Sequence, residues 1–240
     1  MPTPESQSGP SVQPRCFADP AALTAALTER LERAFTAASE QGPTVVMLSG
    51  GNTPLPAYRA VAQRGVRPAA SLVLCYSDDR YVPSTSEGSN YHQTQPLLDA
   101  LALPAARVLR VRTELPLEQA AADYDQRLAD LARRRAHVGL GLLGLGADGH
   151  TASLFTAEHI ARAQGRRAIS VHRPDGRDAV SVTPEVLTWV TQLVFVVAGA
   201  DKRTALAALL ARSPALTAWQ AVLGCRAIEV WTEPAAWPEG

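Results

Sequence analysis

The sequence predicts an α/β fold: a mostly parallel sheet covered by helices on both faces. Three observations carry that expectation. Short apolar runs alternate with amphipathic stretches of helical spacing. Two of those runs, Thr44–Leu48 (TVVML) and Leu72–Tyr76 (LVLCY), lack polar alternation, as strands buried on both faces do. The 240 residues hold no internal repeat and no polar linker long enough to divide them, so one domain over residues 15–240 is expected.

The Pro- and Ser-rich residues 1–14 read as a disordered tail. Asp19 and Pro20 then open a helix to about Glu40, with Leu23, Leu27, Leu31 and Phe35 on one face. The strand Thr44–Leu48 runs into Ser49-Gly50-Gly51, and a second helix starts at Pro54. After Leu72–Tyr76, the stretch from Ser77 to Asn90 is rich in Asp, Ser, Pro and Gly and reads as loop, before a helix near Tyr91–Leu101. Val108–Val111 is a weak strand, and Leu117–Arg134 a helix whose basic end suits the negative pole of its dipole. Val138–Leu143 is the next strand, and residues 162–178 read as a surface loop holding one short strand. Ala179–Thr183, Gln192–Ala198 and Ile228–Thr232 read as strands, with a helix over Asp201–Arg212.

Twenty-three basic and twenty-three acidic residues leave a formal net charge of zero. That balance gives no support for a general nucleic-acid or membrane-surface binder. Cys16, Cys75 and Cys225 are widely spaced, with no Cys-x-x-Cys pair, which argues against a disulfide framework or zinc knot. With no signal-peptide pattern and no apolar run of membrane-spanning length, a cytoplasmic protein, monomer or homodimer, is expected. Five scattered histidines make no ligand spacing, so no metal is expected.

Four segments carry chemistry. In Gly146-Ala147-Asp148-Gly149-His150, an acid, glycines and a histidine stand at a strand exit, where parallel sheets gather ligands. His150 reads as opening a short helix, whose amino end favours the neutral imidazole that a general base needs. The alternative is a satisfied core or capping histidine. Asp148 either orients the ring or stiffens the turn. In Ser49-Gly50-Gly51-Asn52-Thr53-Pro54, uncovered N–H groups and a helix start favour a phosphate, with Thr53 as N-cap and Pro54 as first helical residue. A tight turn that binds nothing is the alternative. The pattern is neither a Walker loop nor a dinucleotide fingerprint, so it favours a sugar phosphate over a nucleotide. In Ser77-Asp78-Asp79-Arg80, the carboxylates can orient hydroxyls and Arg80 can clamp a phosphate, or the charges simply satisfy the loop and each other. Ser89 and Asn90 read as caps of the following helix. Lys202 stands against the dipole in a first helical turn, which a bound anion would explain and a solvated surface position would not require.

Taken in order, SGGNTP, DDRYVP, Ser89-Asn90, GADGHTASLF and GADK, over residues 49–202, resemble the 6-phosphogluconolactonase family. The resemblance implies a Rossmann-like α/β fold shared with glucosamine-6-phosphate deaminases and ribose-5-phosphate isomerases. It also implies cofactor-free hydrolysis of 6-phospho-D-glucono-1,5-lactone to 6-phosphogluconate, in the oxidative pentose phosphate pathway. On that reading Gly50, Gly51, Asn52, Thr53, Asp78, Arg80 and Lys202 bind the sugar phosphate. His150 is the general base with Asp148 beside it, and backbone N–H groups near Gly146 and Gly149 face the oxyanion.

The chain departs from the family pattern at four places. Asp79 stands for a Glu, so its contact is expected to be lost or carried by water. Ala147 and Thr156 stand for prolines. Ala179 stands for an Arg, with Arg173 or Arg177 as candidates to supply the missing charge. Two rival readings are a glucosamine-6-phosphate deaminase and a non-catalytic sugar-phosphate sensor. The first family continues its Asp-Gly-His turn with different residues and carries D-E-Y in the second loop. The second, as in the effector domains of some bacterial repressors, is disfavoured because no DNA-binding helical pattern precedes residue 20 and His150 is retained.

Overall fold

The computed structural model describes residues 9–39 and 42–238. Along the chain, β1 (Ser11–Cys16) leads into α1 (Pro20–Thr36), β2 (Thr44–Leu48), α2 (Leu55–Gln63) and β3 (Leu72–Tyr76). Next come β4 (Asp78–Arg80), α3 (Asn90–Gln93), α4 (Gln95–Ala100), β5 (Val108–Leu109) and α5 (Leu117–Arg133). The second half runs through β6 (His137–Leu143), α6 (Ala157–Arg162), β7 (Ala168–His172), β8 (Asp178–Val182) and α7 (Pro184–Thr188). It closes with β9 (Val190–Val197), α8 (Arg203–Leu210), α9 (Thr217–Val222) and β10 (Ala227–Thr232).

Seven strands form one sheet in the order β1-β10-β9-β6-β2-β3-β5, and every pairing in it is parallel. The expected α/β architecture is present. β2 and β3 are buried at every residue because apolar side chains leave both faces. Val46, Leu48, Leu72 and Leu74 pack under α1, α2 and α4, while Val45, Met47, Val73 and Cys75 face α5 and the later helices. From β2 the chain builds outward through β3 to β5, then returns to the other side of β2 with β6. That reversal opens a crevice beyond the carboxyl ends of β2 and β6, the place where such sheets bind ligands.

Two buried tyrosines finish the strand ends at this crevice. The Tyr58 hydroxyl donates to Ser49 O (2.8 Å) and accepts from Ser49 N (3.2 Å). Tyr124 does the same for Tyr76, at 2.7 and 2.9 Å. Each satisfies backbone groups at the point where the ladder stops, so the loops that follow start from a rigid base.

Several expectations are corrected. Residues 11–14 are not a disordered tail: they belong to β1, paired with β10 from Ser11↔Ala227 to Cys16↔Thr232. Residues 1–8 lie outside the described ones. β1 is an exposed edge strand held by backbone hydrogen bonds, so it has no apolar alternation to read, and Pro14 is tolerated there. The 179–183 strand is present as β8, but it joins a separate antiparallel sheet, β4-β8-β7, rather than the parallel one. β4 lies inside the stretch read as loop. The helix expected near Tyr91–Leu101 is two short ones, with Thr94 at the break and Pro96 just after it. Asp19 caps α1 as expected, accepting from Ala22 N (2.7 Å). Among the described residues, no helix is long and apolar enough to cross a membrane.

Candidate active site

A cavity of about 410 Å³ fills the crevice, lined by loops from four strand ends. After β2, Ser49 to Pro54 form its first wall. Gly50 is glycine for space: a Cβ there would run into the Asn90 side-chain amide. Gly51 is glycine for conformation, with φ +95°. Thr53 does not cap the helix by its side chain; α2 begins at Leu55 and Pro54 leads in with helical backbone. Gly50, Gly51, Asn52 and Thr53 therefore line the cavity as a turn rather than as a helical terminus.

The second wall follows β3. Asp78 is buried, accepts from Ser153 Oγ (2.7 Å) and Ser77 Oγ (3.1 Å), and faces the cavity. Arg80 reaches the cavity with Nη1 on Gly88 O (2.9 Å), while its buried Nε has no partner. Ser89 caps α3 as expected, accepting from His92 N (3.2 Å). Asn90 does something the sequence reading missed. Its Nδ2 donates to Asp78 O (2.9 Å), and its Oδ1 stays buried without a partner beside Gly50 on the cavity wall. Asp79 does not lose its contacts: its carboxylate accepts directly from the N–H groups of Arg80, Asn90 and Tyr91 and from Ser89 Oγ, at 2.6–3.2 Å. It holds the loop and stays out of the cavity. Burial pushes its carboxyl up to about 6 despite those donors.

The third wall is the Asp-Gly-His turn after β6. Gly149 bends the chain at φ +85°, and Gly146 N donates to His150 O (2.8 Å). The Gly149 N–H donates to Gly146 O (3.0 Å), so both N–H groups expected at an oxyanion are spent inside the turn. His150 does not open a helix. Thr151–Leu154 close a small bridge, and α6 starts later, at Ala157, with Thr156 capping it. The dipole therefore does not act on the ring; two direct contacts do. Asp148 Oδ1 lies 2.5 Å from His150 Nδ1, and the Phe155 ring lies against the imidazole at 4.2 Å between centroids. Burial pushes the Asp148 carboxyl up, but hydrogen bonds from the His150 ring and backbone outweigh it and hold the carboxyl below its ordinary range. An ionised Asp148 accepts a hydrogen bond from Nδ1–H, which leaves Nε2 unprotonated as the proton acceptor. Asp148 also accepts from His150 N (3.2 Å), so it both orients the ring and stiffens the turn.

Gly146 makes this pair possible, because a Cβ there would collide with His150 Nδ1 and Asp148 Oδ1. Gly146→Ala is expected to separate the pair and lower kcat by roughly tenfold or more, since small misplacements of a reacting group cost that much. Steady-state kinetics with a folded-state check by circular dichroism would measure it.

The fourth wall follows β9. Gly199 turns the chain at φ +100°, and Lys202 lines the cavity with its ammonium 3.1 Å from Asp201 Oδ2. Arg173, at the end of β7, completes the lining, whereas Arg177 is more exposed and pairs with Asp175 (2.7 Å). Every expected binding residue thus lines one cavity with His150, and Asp148 meets it through the imidazole. Asn90 is an addition to that lining, Arg173 rather than Arg177 brings the candidate charge to it, and the buried Ser153 stands behind Asp78. Among the described residues, no three His, Cys, Asp or Glu side chains gather as a metal site. Cys75 is buried away from the cavity, and that burial pushes its thiol up to about 12.

Residues 18–229 match the family model for glucosamine-6-phosphate isomerases/6-phosphogluconolactonase. A 6-phosphogluconolactonase of Synechocystis sp. is 36% identical over 191 residues, 77% of this chain and 78% of that protein. The crystal structure of the 6-phosphogluconolactonase from Thermotoga maritima superposes with TM-score 0.78 at 24% identity, covering 93% of this chain and 99% of that one. A monomeric glucosamine-6-phosphate deaminase gives TM-score 0.77 at 15% identity, covering 94% and 98%. The fold alone is therefore common to both activities, and the sequence matches are what distinguish them. On the extent of the family match and the identity to its lactonase members, the chain belongs to the glucosamine-6-phosphate isomerase/6-phosphogluconolactonase family.

Proposed function

We propose that this protein hydrolyses 6-phospho-D-glucono-1,5-lactone to 6-phosphogluconate, with His150 as general base and no cofactor. One observation carries the reading: the Asp148-oriented imidazole shares a single cavity with Arg80, Lys202 and the Gly50–Thr53 turn. The cations and the turn hold the 6-phosphate, and binding a group remote from the reacting carbon fixes the lactone carbonyl near the ring. Nε2 takes a proton from water as the oxygen attacks C1. The tetrahedral intermediate collapses with cleavage of the bond from C1 to the ring oxygen, which receives that proton. Asp78, held by Ser77 and Ser153, is placed to orient sugar hydroxyls.

Coupling the protein to 6-phosphogluconate dehydrogenase with freshly made lactone tests this directly, with ammonia release from glucosamine 6-phosphate measured in parallel. Turnover of the lactone alone is expected. Ammonia release would establish the deaminase instead, and binding without turnover of either substrate would establish a sensor.

Lys202→Ala is expected to raise KM by roughly 10–100-fold with kcat little changed, the worth of a hydrogen bond to a charged group. Arg80→Ala should act in the same direction and also loosen the loop, because it removes the bond to Gly88 O. A fall in kcat at constant KM in the Lys202 variant would contradict a phosphate-holding role.

A further inference from the structure

We propose that Arg173 is a positioning residue for the general base: it holds the His150 ring through Phe155 and, through Ser153, joins that ring's support to Asp78. The proposal rests on the role given to His150 above and concerns what keeps that ring in place.

Arg173 stands at the mouth of the β7–β8 hairpin, yet its side chain is only 12% exposed, low for an arginine on a turn. Its guanidinium carbon lies 5.1 Å from the centre of the Phe155 ring. That same ring packs on His150 at 4.2 Å with the planes inclined by 35°. Phenylalanine 155 therefore stands in contact with both the cation and the imidazole. Its backbone is already anchored, with its N–H on His159 Nδ1 (3.1 Å) and its O accepting from Thr217 Oγ1 (3.2 Å). What remains to be set is the orientation of the ring, which the guanidinium limits on one side and the edge-on His159 ring, 6.3 Å away between centroids, on another.

The second arm is polar. Arg173 Nη1 donates to Ser153 Oγ (3.2 Å), and Ser153 Oγ donates to Asp78 Oδ2 (2.7 Å). Ser153 is wholly buried, two residues before Phe155 and three after His150. One guanidinium thus braces the Asp-Gly-His segment against the β3 loop. The arginine is itself fixed. Its Nε lies 3.3 Å from Asp175, and its N–H donates to Arg177 O (2.8 Å) to close a turn that Gly176 allows with φ +78°. Arg177, aided by Arg173, holds the Asp175 carboxyl down to about 2, so this clasp stays charged across the neutral range. A planar, delocalised cation can stack on a ring and donate sideways at once, which an ammonium cannot.

The test uses Arg173→Met, which keeps the unbranched stem and so the hairpin packing, with Phe155→Leu, Phe155→Tyr and the double variant Arg173→Met/Phe155→Leu. Each is assayed for kcat and KM, and the His150 ring protons are followed by proton NMR, assigned by difference against His150→Gln. Arg173→Met and Phe155→Leu are each expected to lower kcat about tenfold with KM within about twofold, the scale of a small misplacement of a reacting group. Phe155→Tyr should keep the wild-type rate. The double variant should be no slower than the slower single one, because both act through one contact. In Arg173→Met the His150 resonances should shift away from their wild-type positions as the Phe155 ring current changes. A raised KM with unchanged kcat would make Arg173 a substrate ligand and overturn the proposal, as would multiplicative losses in the double variant or unmoved His150 resonances. If the wild-type protein opened no lactone, the proposed function would fall, while the NMR comparison would still judge the stack.

Discussion

Replacing His150 with alanine is expected to lower kcat by roughly 10²–10⁴, the worth of a positioned general base, while KM changes little. The asymmetry follows from the layout of the cavity. Arg80, Lys202 and the Gly50–Thr53 turn, which we assign to the phosphate, come from other strand ends than His150 and are untouched by the change. Loss of the imidazole removes only the group that takes the proton, so the substrate still binds but water is no longer activated. Asp148→Asn should fall between wild type and His150→Ala. An amide at that position can offer an N–H to Nδ1, favouring the tautomer in which Nε2 carries the proton and cannot accept one. The coupled dehydrogenase assay, corrected for spontaneous opening of the lactone, gives both values. An unchanged kcat in His150→Ala would remove the ring from the mechanism.

Asp79→Ala should produce the largest loss of stability among the site-loop substitutions, at least about 3 kcal/mol from buried donors left without partners. Four donors converge on this one carboxylate, two of them backbone N–H groups at the start of α3 and a third the N–H of Arg80 in β4, and the side chain is 1% exposed. Without it the loop carrying Arg80 and Asn90 loses its anchor, so KM should rise as well. Urea denaturation at neutral pH measures the loss; a change under about 1 kcal/mol would mean that the donors find other partners.

The same carboxyl carries a pH signature. Its folded value is raised from 3.8 to about 6, so between those values the folded protein holds a proton that the unfolded chain has released. The stability it contributes is therefore fully present below about 4 and is lost as pH rises through about 6, an amount on the order of 3 kcal/mol. Asp79→Asn cannot titrate. The stability of wild type minus that of Asp79→Asn should fall as pH rises from about 4 to about 7 and then level. A difference that stays flat over that range would contradict the raised value.

Much of the site could be read from the chain because chemistry at strand ends leaves local marks. The runs TVVML and LVLCY announce buried parallel strands, and the residues just after them must then lie at one edge of the sheet. Glycines 50, 51, 146 and 149 were visible as glycines, but their reasons differ. Gly51 answers a local backbone demand, Gly149 both that demand and the room Leu216 needs, and Gly50 and Gly146 make room for Asn90 and for the Asp148–His150 pair. Asn90 was read as a cap because its neighbour Ser89 is one. Its contact with Asp78 twelve positions away has no local signature. For Asp79 the sequence leaves open whether it orients a hydroxyl or satisfies its own loop, and the fold selects the loop, since only packing shows which way a carboxylate turns.

By itself the sequence determined the α/β class, most strands of the parallel sheet and the four segments whose residues meet in the cavity, because hydrophobic period and turn chemistry act over a few residues; the order of its motifs pointed to the family. The tertiary structure alone decided the rest. It placed β1 at an exposed edge and put β8 in a separate antiparallel sheet. It replaced a helix dipole at His150 with an aspartate and a phenyl ring, and chose Arg173 over Arg177 for the cavity. Each of those outcomes depends on groups distant in the chain competing for one volume or one hydrogen bond, and such competition is resolved only when the layers pack.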